Sequence, residues 1–479
     1  MRFNTQRTSS PAALAEKATN FAGGEAYQQS PRLELVSVLL TCTLQDQYYR
    51  SADQSVQRLR ELIDAVKDPR FVAKAAIYAR KEAGMRSATH LVAAELAQLV
   101  KGEAWSRHFY NRVVHRVDDV LEILAYTLHV HGKPIPNSLK KGLGDALTRF
   151  DEYQLAKYRK NRAELKLVDA VNLLHPRSTP ALDRLVDGTL RPAETWETKL
   201  TKAGQGDGSS DDKEEQKAQV WTDLIRSRKI GYFALLRNLR NILEQSPDMM
   251  EDALQILTDP RRIQKSLVLP FRFRTALDAV LAAPLDQKQQ VVEALNVAVD
   301  HSLANVPVFE GKTLVVLDGS ASMMGRPMTI GSLFAAVLYK VADADFMLFS
   351  NNAAYHSYNQ ADSTLTIAQQ MERNCQAAGT NFHAIFETAR RAYRRIIILS
   401  DMQGWMGYYA PDTSFDAYVS RVKHRPLIYS FDLTGYGTLQ FPAQGVYALA
   451  GFSDKTLETM RFLESDQTAL LKQIESIDL

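Results

Sequence analysis

The hydrophobic pattern of the chain changes its period once, near residue 307, and this change constrains the fold more than any other feature. From about Leu33 to Leu303 apolar residues recur at the spacing of amphipathic helices, and strand-like runs are scarce. After Pro307 short apolar runs alternate with helical segments. We therefore predict two domains, residues 1–306 and 307–479, with a boundary near Asn305–Glu310.

The first domain is predicted to be all α-helical. The clearest helical periodicity runs from Phe71 to Val100, and similar patterns cover Val56–Val66, Val120–Val130, Leu139–Arg149, Gln154–Lys160, Trp221–Arg226, Phe233–Leu243, Met250–Leu257, Thr275–Ala283 and Gln287–Leu303. Successive helices joined by short loops indicate an α-solenoid or a helical bundle. The sequence has no clean internal repeat, so both architectures stay open.

One stretch of this domain, residues 201–219, departs from the helical pattern. It contains Gly204, Gly206 and Gly208, two serines and a run of mixed charges. Because such a segment has little apolar surface to bury, we predict a mobile loop. A surface insertion without a function is the main interpretation, and a lid over bound RNA is the alternative.

The second domain is predicted to be a doubly wound α/β domain of the Rossmann-like type. Short apolar runs at Lys312–Asp318, Asp345–Ser350, Arg395–Asp401 and Pro426–Leu433 are separated by amphipathic helical segments. Apolar strands that alternate with helices are typical of a parallel sheet buried on both faces.

Oxygen-bearing side chains follow two of these strands. Asp318, Ser320 and Ser322 come directly after the first strand, and Asp401 ends another. Thr380 lies in a Gly-Thr loop between them. Ligands of open α/β sheets bind beyond the carboxyl ends of the strands. Because hydroxyl and carboxylate oxygens without His or Cys suit a hard cation, we expect these five residues to bind Mg²⁺.

Catalysis fits this oxygen cluster poorly. A phosphatase that used Asp318 as its nucleophile would need a carboxylate two residues on, where Ser320 stands. The spacing of Gly319 and Ser320 does not match a hydrolase nucleophile elbow, and no phosphate-binding loop follows any strand. We therefore predict that the protein is not an enzyme.

Basic residues concentrate in the first domain between His131 and Arg177. Clustered Lys and Arg bind phosphates, whereas Arg and His also stack on bases. Composition alone favours a solvated helix face over a nucleic-acid groove. The candidates for RNA contact are Lys133, Lys140, Lys141, Lys157, Arg159, Arg162 and His175. Two smaller basic groups, residues 107–116 and 261–274, have the same default interpretation.

The composition narrows the class of protein further. The net charge is +3 over 479 residues, so any nucleic-acid site must come from local clustering of charge. Cys42 and Cys375 have no zinc-ligand spacing, which argues against a disulfide framework or structural zinc. No segment resembles a signal peptide or approaches the about 18 apolar residues of a membrane span. We expect a cytoplasmic protein without a membrane partner.

The oxygen cluster matches the metal-ion-dependent adhesion site of von Willebrand factor A domains. This resemblance covers about Gly311 to Asp478. It implies that Ser320, Ser322 and Thr380 bind the ion directly. Asp318 and Asp401 would act directly or through water. In such domains an acidic group from a partner often completes the coordination.

The first domain resembles the TROVE module of the Ro 60 kDa autoantigen family and its bacterial relatives. The resemblance lies in residues 132–176 (GKPIPNSLKKGLGDALTRFDEYQLAKYRKNRAELKLVDAVNLLHP), 77–96 (IYARKEAGMRSATHLVAAEL) and 231–239 (GYFALLRNL). In this family an A domain follows the TROVE module, and the segment Ala450–Phe452 resembles the end of that domain.

This resemblance implies HEAT-like helix pairs closed into a ring by the A domain. Single-stranded ends of misfolded noncoding RNAs would pass through the basic hole, and small Y RNAs would bind the outer surface. Family positions that line the hole match Lys157 and His175, and a nearby arginine matches Arg162 or Arg159. Arg86 and His90 lie in a matching motif, where helix packing and RNA contact are equally open.

We therefore predict a noncoding-RNA-binding ribonucleoprotein component without catalysis of its own. It would act in RNA quality control or as an adaptor to an exoribonuclease, and no DNA partner is expected. The alternative is a protein-interaction scaffold that binds an acidic partner through the metal.

Overall fold

The structure is a computed structural model of the chain. It describes residues 17–28, 30–41, 51–158, 165–191, 196–205, 209–266, 268, 270–284, 288–307, 309–342, 344–407, 411–436, 438–441, 446–449, 457, 460 and 469–479. Within these ranges, no helix combines the length and apolar character needed to cross a bilayer.

The first part of the chain is helical after a short β-hairpin, which confirms the predicted helical domain. The hairpin strands are Lys17–Thr19 (β1) and Glu25–Gln28 (β2). The helices are Pro31–Thr41 (α1), Ala52–Val66 (α2), Pro69–Lys81 (α3), Ser87–Leu99 (α4), Ser106–Val113 (α5), Val117–His131 (α6), Asn137–Leu147 (α7), Glu152–Tyr158 (α8), Leu167–Leu174 (α9), Pro180–Val186 (α10), Trp196–Gln205 (α11), Ser210–Arg226 (α12), Tyr232–Gln245 (α13), Met250–Thr258 (α14), Pro260–Ser266 (α15), Pro270–Ala282 (α16) and Lys288–Ser302 (α17).

Local signals at the helix ends explain why the elements begin where they do. Ser51 and Gln54 form a capping box at the start of α2. The Asp68 carboxylate accepts a hydrogen bond from the backbone N–H of Phe71, and Pro69 opens α3. Alternate helices then stack, since α3 packs on α5 and α5 packs on α7. This stacking is the arrangement that helical-repeat proteins use.

The prediction of a mobile loop over residues 201–219 is wrong for the residues that the structure describes. The helices α11 and α12 include 201–205 and 210–219, whereas 206–208 lie outside the described residues. Ser209 and Asp212 form a capping box that starts α12. The Trp196 and Trp221 rings stack at 5.8 Å and join the two helices. Aromatic packing from outside the polar stretch therefore stabilises a helical hairpin that composition does not reveal.

The second part of the chain alternates strands and helices. Its elements are Thr313–Asp318 (β3), Arg326–Val341 (α18), Ala344–Phe349 (β4), Ala353–His356 (β5), Thr364–Arg373 (α19), Phe382–Thr388 (α20), Arg395–Ser400 (β6), Asp412–Val422 (α21), Leu427–Asp432 (β7), Thr438–Leu439 (β8), Val446–Leu449 (β9) and a C-terminal helix, Ala469–Glu475.

A six-stranded sheet forms the centre of this part, in the order β5-β4-β3-β6-β7-β9. All neighbouring strands are parallel except the β4–β5 pair. The residues of β3 alternate between two apolar cores: Val315 and Leu317 face one, and Leu314 and Val316 face the other. Both faces of the sheet are therefore covered, which confirms the predicted doubly wound α/β fold.

Both described terminal segments pack against the other half of the molecule, across the predicted division at residue 306. The hairpin strand β2 pairs antiparallel with β8, with Tyr27 opposite Leu439. The C-terminal helix packs on α3, and Leu470 and Ile474 are buried in the core of the N-terminal helices. Apolar pattern alone does not show which distant partner covers a short segment.

The α/β part contacts both ends of the helical part. At one end the Asp300 carboxylate of α17 accepts hydrogen bonds from Lys340 at 3.0 Å and from the Thr364 hydroxyl at 2.6 Å. At the other end Gly435 lies so close to α1 that an added Cβ would sit 2.1 Å from the Thr41 hydroxyl oxygen. Gly435 also has a φ of +75°, which favours glycine. The chain therefore closes on itself.

A buried ionic network ties α3, α4 and α6 together around Asp119. Its carboxylate, which is fully buried, contacts the Arg80 guanidinium at 3.0 Å and His90 Nε2 at 2.9 Å. It also accepts the backbone N–H groups of His115 and Arg116 at the start of α6. Burial acts to raise the pKa of Asp119, but the bonds from His90 and Arg80 outweigh burial and lower it. His90 therefore serves helix packing.

We expect Asp119→Ala to lower the free energy of unfolding by about 3–5 kcal/mol, because it leaves a buried arginine without its partner. The folded-state pKa is depressed, so this contribution is complete above the unfolded pKa of about 4 and is lost as pH falls below it. Urea unfolding of both proteins between about pH 7 and pH 3 measures the effect.

Asp145→Ala is the matched control, since Asp145 pairs with Arg107 at the surface. Surface pairs of this kind contribute under about 1 kcal/mol. An equally small loss for Asp119→Ala would show that the network does not hold the three helices together.

Candidate metal centre and nucleic-acid interface

The two predicted acidic ligands lie at one edge of the sheet. The strands β3 and β6 are parallel neighbours, with Leu317 opposite Leu399. Asp318 is the last residue of β3, and Asp401 directly follows β6. These central strands lead into crossovers in opposite directions, which is the position where open α/β sheets bind ligands.

Backbone hydrogen bonds bring the Gly-Thr loop to the same place. The Ala321 N–H donates to the Ala378 carbonyl at 3.0 Å, and the Ala377 N–H donates to the Gly319 carbonyl at 3.0 Å. The Thr380 carbonyl in turn accepts the Trp405 N–H from the segment after Asp401, at 3.2 Å. Three loops therefore meet, and they bring the predicted metal-binding residues Asp318, Ser320, Ser322, Thr380 and Asp401 to one edge of the sheet.

The side chains of this cluster are buried and only partly hydrogen-bonded. No member of the set is more than 4% exposed. Asp318 accepts hydrogen bonds from the Ser320 N–H at 2.9 Å and the Ser400 hydroxyl at 2.5 Å. Asp401 accepts the Gln403 N–H at 3.2 Å through Oδ1, but its buried Oδ2 has no hydrogen-bond partner within the described residues.

The electrostatics of this cluster disfavour two negative charges. Burial raises the pKa of both Asp318 and Asp401, and the neighbouring Asp318 charge raises that of Asp401 further. A bound cation would remove this repulsion and satisfy the orphaned Oδ2. The donor set of two carboxylates and three hydroxyls therefore fits a hard divalent ion.

A third carboxylate, which was not among the predicted ligands, lies near the cluster. Asp432 ends β7, is 2% exposed, and lies near enough to raise the pKa of Asp401, after burial and Asp318. Its Oδ1 accepts the N–H groups of Thr434 and Gly435, so it holds the turn that contacts α1. The signal was available, because Asp432 lies near the end of a predicted strand as Asp401 does.

The basic residues predicted to contact RNA lie on the surface of the helical part. Lys133, Lys141, Lys157 and His175 are exposed, and Lys140 is half-buried. Their side chains form no hydrogen bond or ion pair in the described part of the chain, so their charges stay available. Arg159 and Arg162 lie outside the described residues.

Only part of this predicted set is brought together. A Cβ added at Gly144 of α7 would lie 3.5 Å from Pro176 Cα, so the turn at His175 packs against α7. Lys141 stands one helical turn before Gly144 and therefore shares that face. No recorded contact joins Lys133 or Lys157 to this pair within the described ranges.

A second basic group is more tightly assembled, and we call Lys81, Arg112 and Arg149 the basic cluster. They lie at or just beyond the C-terminal ends of the stacked helices α3, α5 and α7. Arg149 donates to the Asn111 and Val114 carbonyls at the end of α5, at 2.8 and 2.9 Å.

The two arginines of the basic cluster lie close enough to Lys81 for their charges to repel its ammonium group. Burial lowers the pKa of Lys81, and the positive charges of Arg112 and Arg149 lower it further. None of the three forms an ion pair with a carboxylate among the described residues. The sequence reasoning noted Arg112 and Arg149 in separate groups and missed Lys81. All three residues lie at or just beyond the C-terminal ends of alternate helices, and this shared position in the sequence could have identified them as a group.

In the basic group at 261–274, Arg274 has a structural role. The Arg274 guanidinium of α16 makes two hydrogen bonds, at 2.8 and 3.0 Å, to the Glu372 carboxylate of α19. Glu372 also accepts the Ser332 hydroxyl of α18 at 2.7 Å. This arginine therefore fastens the helical part to the α/β part, which differs from the solvated helix face that was the default interpretation of its group.

Comparisons with known proteins agree with this architecture. The TROVE domain profile matches residues 25–205 and 188–314. Telomerase protein component 1 of Rattus norvegicus is 23% identical over 345 residues, which are 53% of this chain and 13% of that protein. The Mus musculus protein is 25% identical over 303 residues, 44% of this chain and 11% of that protein. The chain thus spans a small fraction of these relatives.

The crystal structure of the Deinococcus radiodurans Ro (RSR) protein has a similar fold. It aligns with a TM-score of 0.62, covers 90% of this chain and 100% of that chain, and is 17% identical. The protein therefore consists of stacked helices with basic residues at their surface, followed by a doubly wound α/β part. The chain belongs to the TROVE domain family. This membership supports the RNA-binding function that the resemblance implied, whereas the von Willebrand factor A assignment stays a prediction.

We expect Asp401→Asn to raise the unfolding temperature of the protein in EDTA. The amide removes one of two buried carboxylates that repel each other. Each kcal/mol gained in the free energy of unfolding corresponds to a rise of about 2–4 °C or somewhat less in a chain of this size. Differential scanning calorimetry of both proteins in EDTA measures the shift. A lower unfolding temperature for the variant would show that the carboxylate is stabilising without a cation.

Proposed function

We propose that this protein binds noncoding RNA as a ribonucleoprotein component, through its stacked helices and without catalysis. The basic cluster is the observation that carries the proposal. A lysine repelled by two neighbouring arginines, with no carboxylate partner for any of the three among the described residues, is expected where an external anion neutralises the charges. RNA phosphates supply such anions, and their binding releases counterions.

The arrangement supports recognition of shape and charge. Lys81, Arg112 and Arg149 lie at or just beyond the ends of three successive stacked helices. This spacing along the stack suits an RNA backbone, which carries one phosphate per nucleotide. Arg116 lies over the Tyr158 ring at 5.5 Å, and such a pair offers a surface on which bases stack. Recognition of this kind has little sequence preference.

Finer features of the proposal follow from family membership and from the closed arrangement of the chain. The RNA would include Y-like RNA and the single-stranded ends of misfolded RNA. The exposed Lys133, Lys141, Lys157 and His175 would add phosphate contacts. The protein would act in RNA quality control or as an adaptor to an exoribonuclease, as a cytoplasmic protein.

The double variant Lys81→Glu, Arg112→Glu is expected to weaken binding of a structured RNA with a 3′ single-stranded tail at least about tenfold. It should also reduce the slope of log Kd against log salt by about 1 for each lost phosphate contact. Fluorescence anisotropy at several salt concentrations gives both numbers.

Arg261→Glu, Lys265→Glu is the matched control, because both residues are exposed on α15 and the change in net charge is the same. The control should keep wild-type affinity. Equal weakening by both double variants would mean that only net charge matters, and it would contradict a site at the basic cluster.

We also propose that Asp318, Ser320, Ser322, Thr380 and Asp401 hold a Mg²⁺ ion. The orphaned Oδ2 of Asp401 and the two buried carboxylates support this proposal. The ion would neutralise charge and tie three loops together. Since the site residues are at most 4% exposed, a structural ion is favoured over one that docks an acidic partner, which disfavours the scaffold alternative.

Millimolar Mg²⁺ is expected to raise the unfolding temperature of the wild-type protein above its value in EDTA, because a ligand of the folded state stabilises it. Ser322→Ala should abolish most of this rise. Ser430→Ala, which removes a buried hydroxyl that has no hydrogen-bond partner among the described residues, should leave it unchanged. A wild-type protein that Mg²⁺ does not stabilise would contradict the metal proposal.

A further inference from the structure

The segment after Asp401 is held from two sides. On one side the N–H groups of Trp405 and Met406 donate to the Thr380 carbonyl at 3.2 and 3.4 Å. On the other side Gln440, which follows β8, donates its side-chain N–H to the Met402 carbonyl at 2.9 Å. The position of Asp401 therefore depends on what packs against residues 402–406.

Gln403 connects this segment to the N-terminal hairpin. Its backbone N–H donates to Asp401 Oδ1 at 3.2 Å, and its side-chain N–H donates to the Asp401 carbonyl at 3.1 Å. Its side-chain oxygen accepts the backbone N–H of Phe21, in the hairpin turn, at 2.8 Å. Gln403 is fully buried, so these bonds are shielded from water.

The hairpin turn itself packs directly on the same segment. The Asn20 side-chain N–H donates to the Gly404 carbonyl at 2.5 Å. The Asn20 side-chain oxygen accepts the N–H groups of Ala22 and Gly24, so one residue shapes the turn and docks it. A Cβ added at Gly24 would lie 2.0 Å from the Gly404 carbonyl oxygen, and only glycine permits this approach.

We propose that the N-terminal hairpin is a positioning element of the metal site, so that cation binding and hairpin docking stabilise each other. The inference rests on the Mg²⁺ site proposed above. A docked hairpin holds Gln403 in place. Gln403 in turn orients the Asp401 carboxylate, so that Oδ1 accepts a hydrogen bond and Oδ2 is left for the cation. A bound cation then holds Asp401 in place and keeps Gln403 where the hairpin binds.

This coupling extends to the closure of the chain. The strand β2 leads within a few residues into α1, which packs against the turn at Gly435. Loss of the cation would therefore loosen the contact between the α/β part and the first helix. Coupling between two sites is reciprocal, so each partner changes the affinity of the other by the same factor.

Isothermal titration with Mg²⁺ of the full chain tests the coupling in the wild-type protein, Asn20→Ala and Gln403→Met. Asn20 contacts the hairpin and Gly404 but makes no recorded hydrogen bond to Asp401. A loss of affinity in Asn20→Ala therefore reports coupling through the hairpin. We expect Asn20→Ala to weaken Mg²⁺ binding about fivefold or more. Gln370→Met is the control, because Gln370 lies in α19 of the same domain and its side chain bonds to Asp362.

Hydrogen exchange gives the reciprocal measurement without a metal-affinity assay. Mg²⁺ should slow exchange of the Phe21 and Gly24 amides in the wild-type protein, and this protection should be lost in Ser322→Ala. Wild-type affinity in both Asn20→Ala and Gln403→Met, with exchange that Mg²⁺ does not change, would overturn the coupling alone. A wild-type protein that binds no Mg²⁺ would overturn the metal site and the coupling together.

Discussion

One apolar core runs from the helical hairpin at α12 through α17 to one face of the six-stranded sheet, and the rest of the structure depends on it. Trp221, Leu295, Leu333 and Val315 belong to the same buried cluster. Because this core is continuous, the α/β part cannot rotate freely against the last helices. Its other contacts, with the hairpin and α1, then return the chain to its starting point and close it.

A closed chain explains why both terminal segments cross over. The C-terminal helix buries Leu470 and Ile474 among the N-terminal helices, while β2 completes a small sheet with β8. Each crossing segment is short and would be unstable alone. Their stability therefore comes from the partner surface, and the crossings in return fasten two cores that the sequence keeps apart.

The sequence was most informative where local pattern determines structure. The predicted strands at 312–318 and 395–401 and the helix at 120–130 were close to the observed bounds, because burial on both faces or on one stripe leaves a clear period. In a doubly wound sheet, the strand order then makes β3 and β6 parallel neighbours. Asp318 and Asp401 lie close together because each is at the carboxyl end of its strand. Both carboxylates could be predicted from the residues that follow each strand.

Long-range contacts set the limit of that reasoning. The helices α11 and α12 required the stacking of Trp196 on Trp221 across a glycine-rich stretch, and the polar composition pointed elsewhere. The basic cluster joins residues 81, 112 and 149, which only the stacking order of α3, α5 and α7 brings together. Gln403 gives no signal at all, since its role depends on a hairpin nearly 400 residues away in the chain.

The two candidate sites have opposite charge: the site on the helices is positive, and the site in the α/β part is negative. In the basic cluster, three cations have no carboxylate partner among the described residues, and an external polyanion would neutralise them. In the α/β part, carboxylates are buried with one oxygen left open, and an internal cation would neutralise them. Under the two proposals, this separation would allow metal binding to govern the closure of the chain while the helical surface binds RNA.

The central claim is that the closed helical part binds RNA through phosphate contacts, and salt-titrated binding by the wild-type protein tests it most directly. A structured RNA with a 3′ single-stranded tail is compared with the same RNA blunt-ended. The account predicts tail-dependent binding whose log Kd rises linearly and steeply with log salt. Binding to neither RNA, or binding that salt does not weaken, would contradict it.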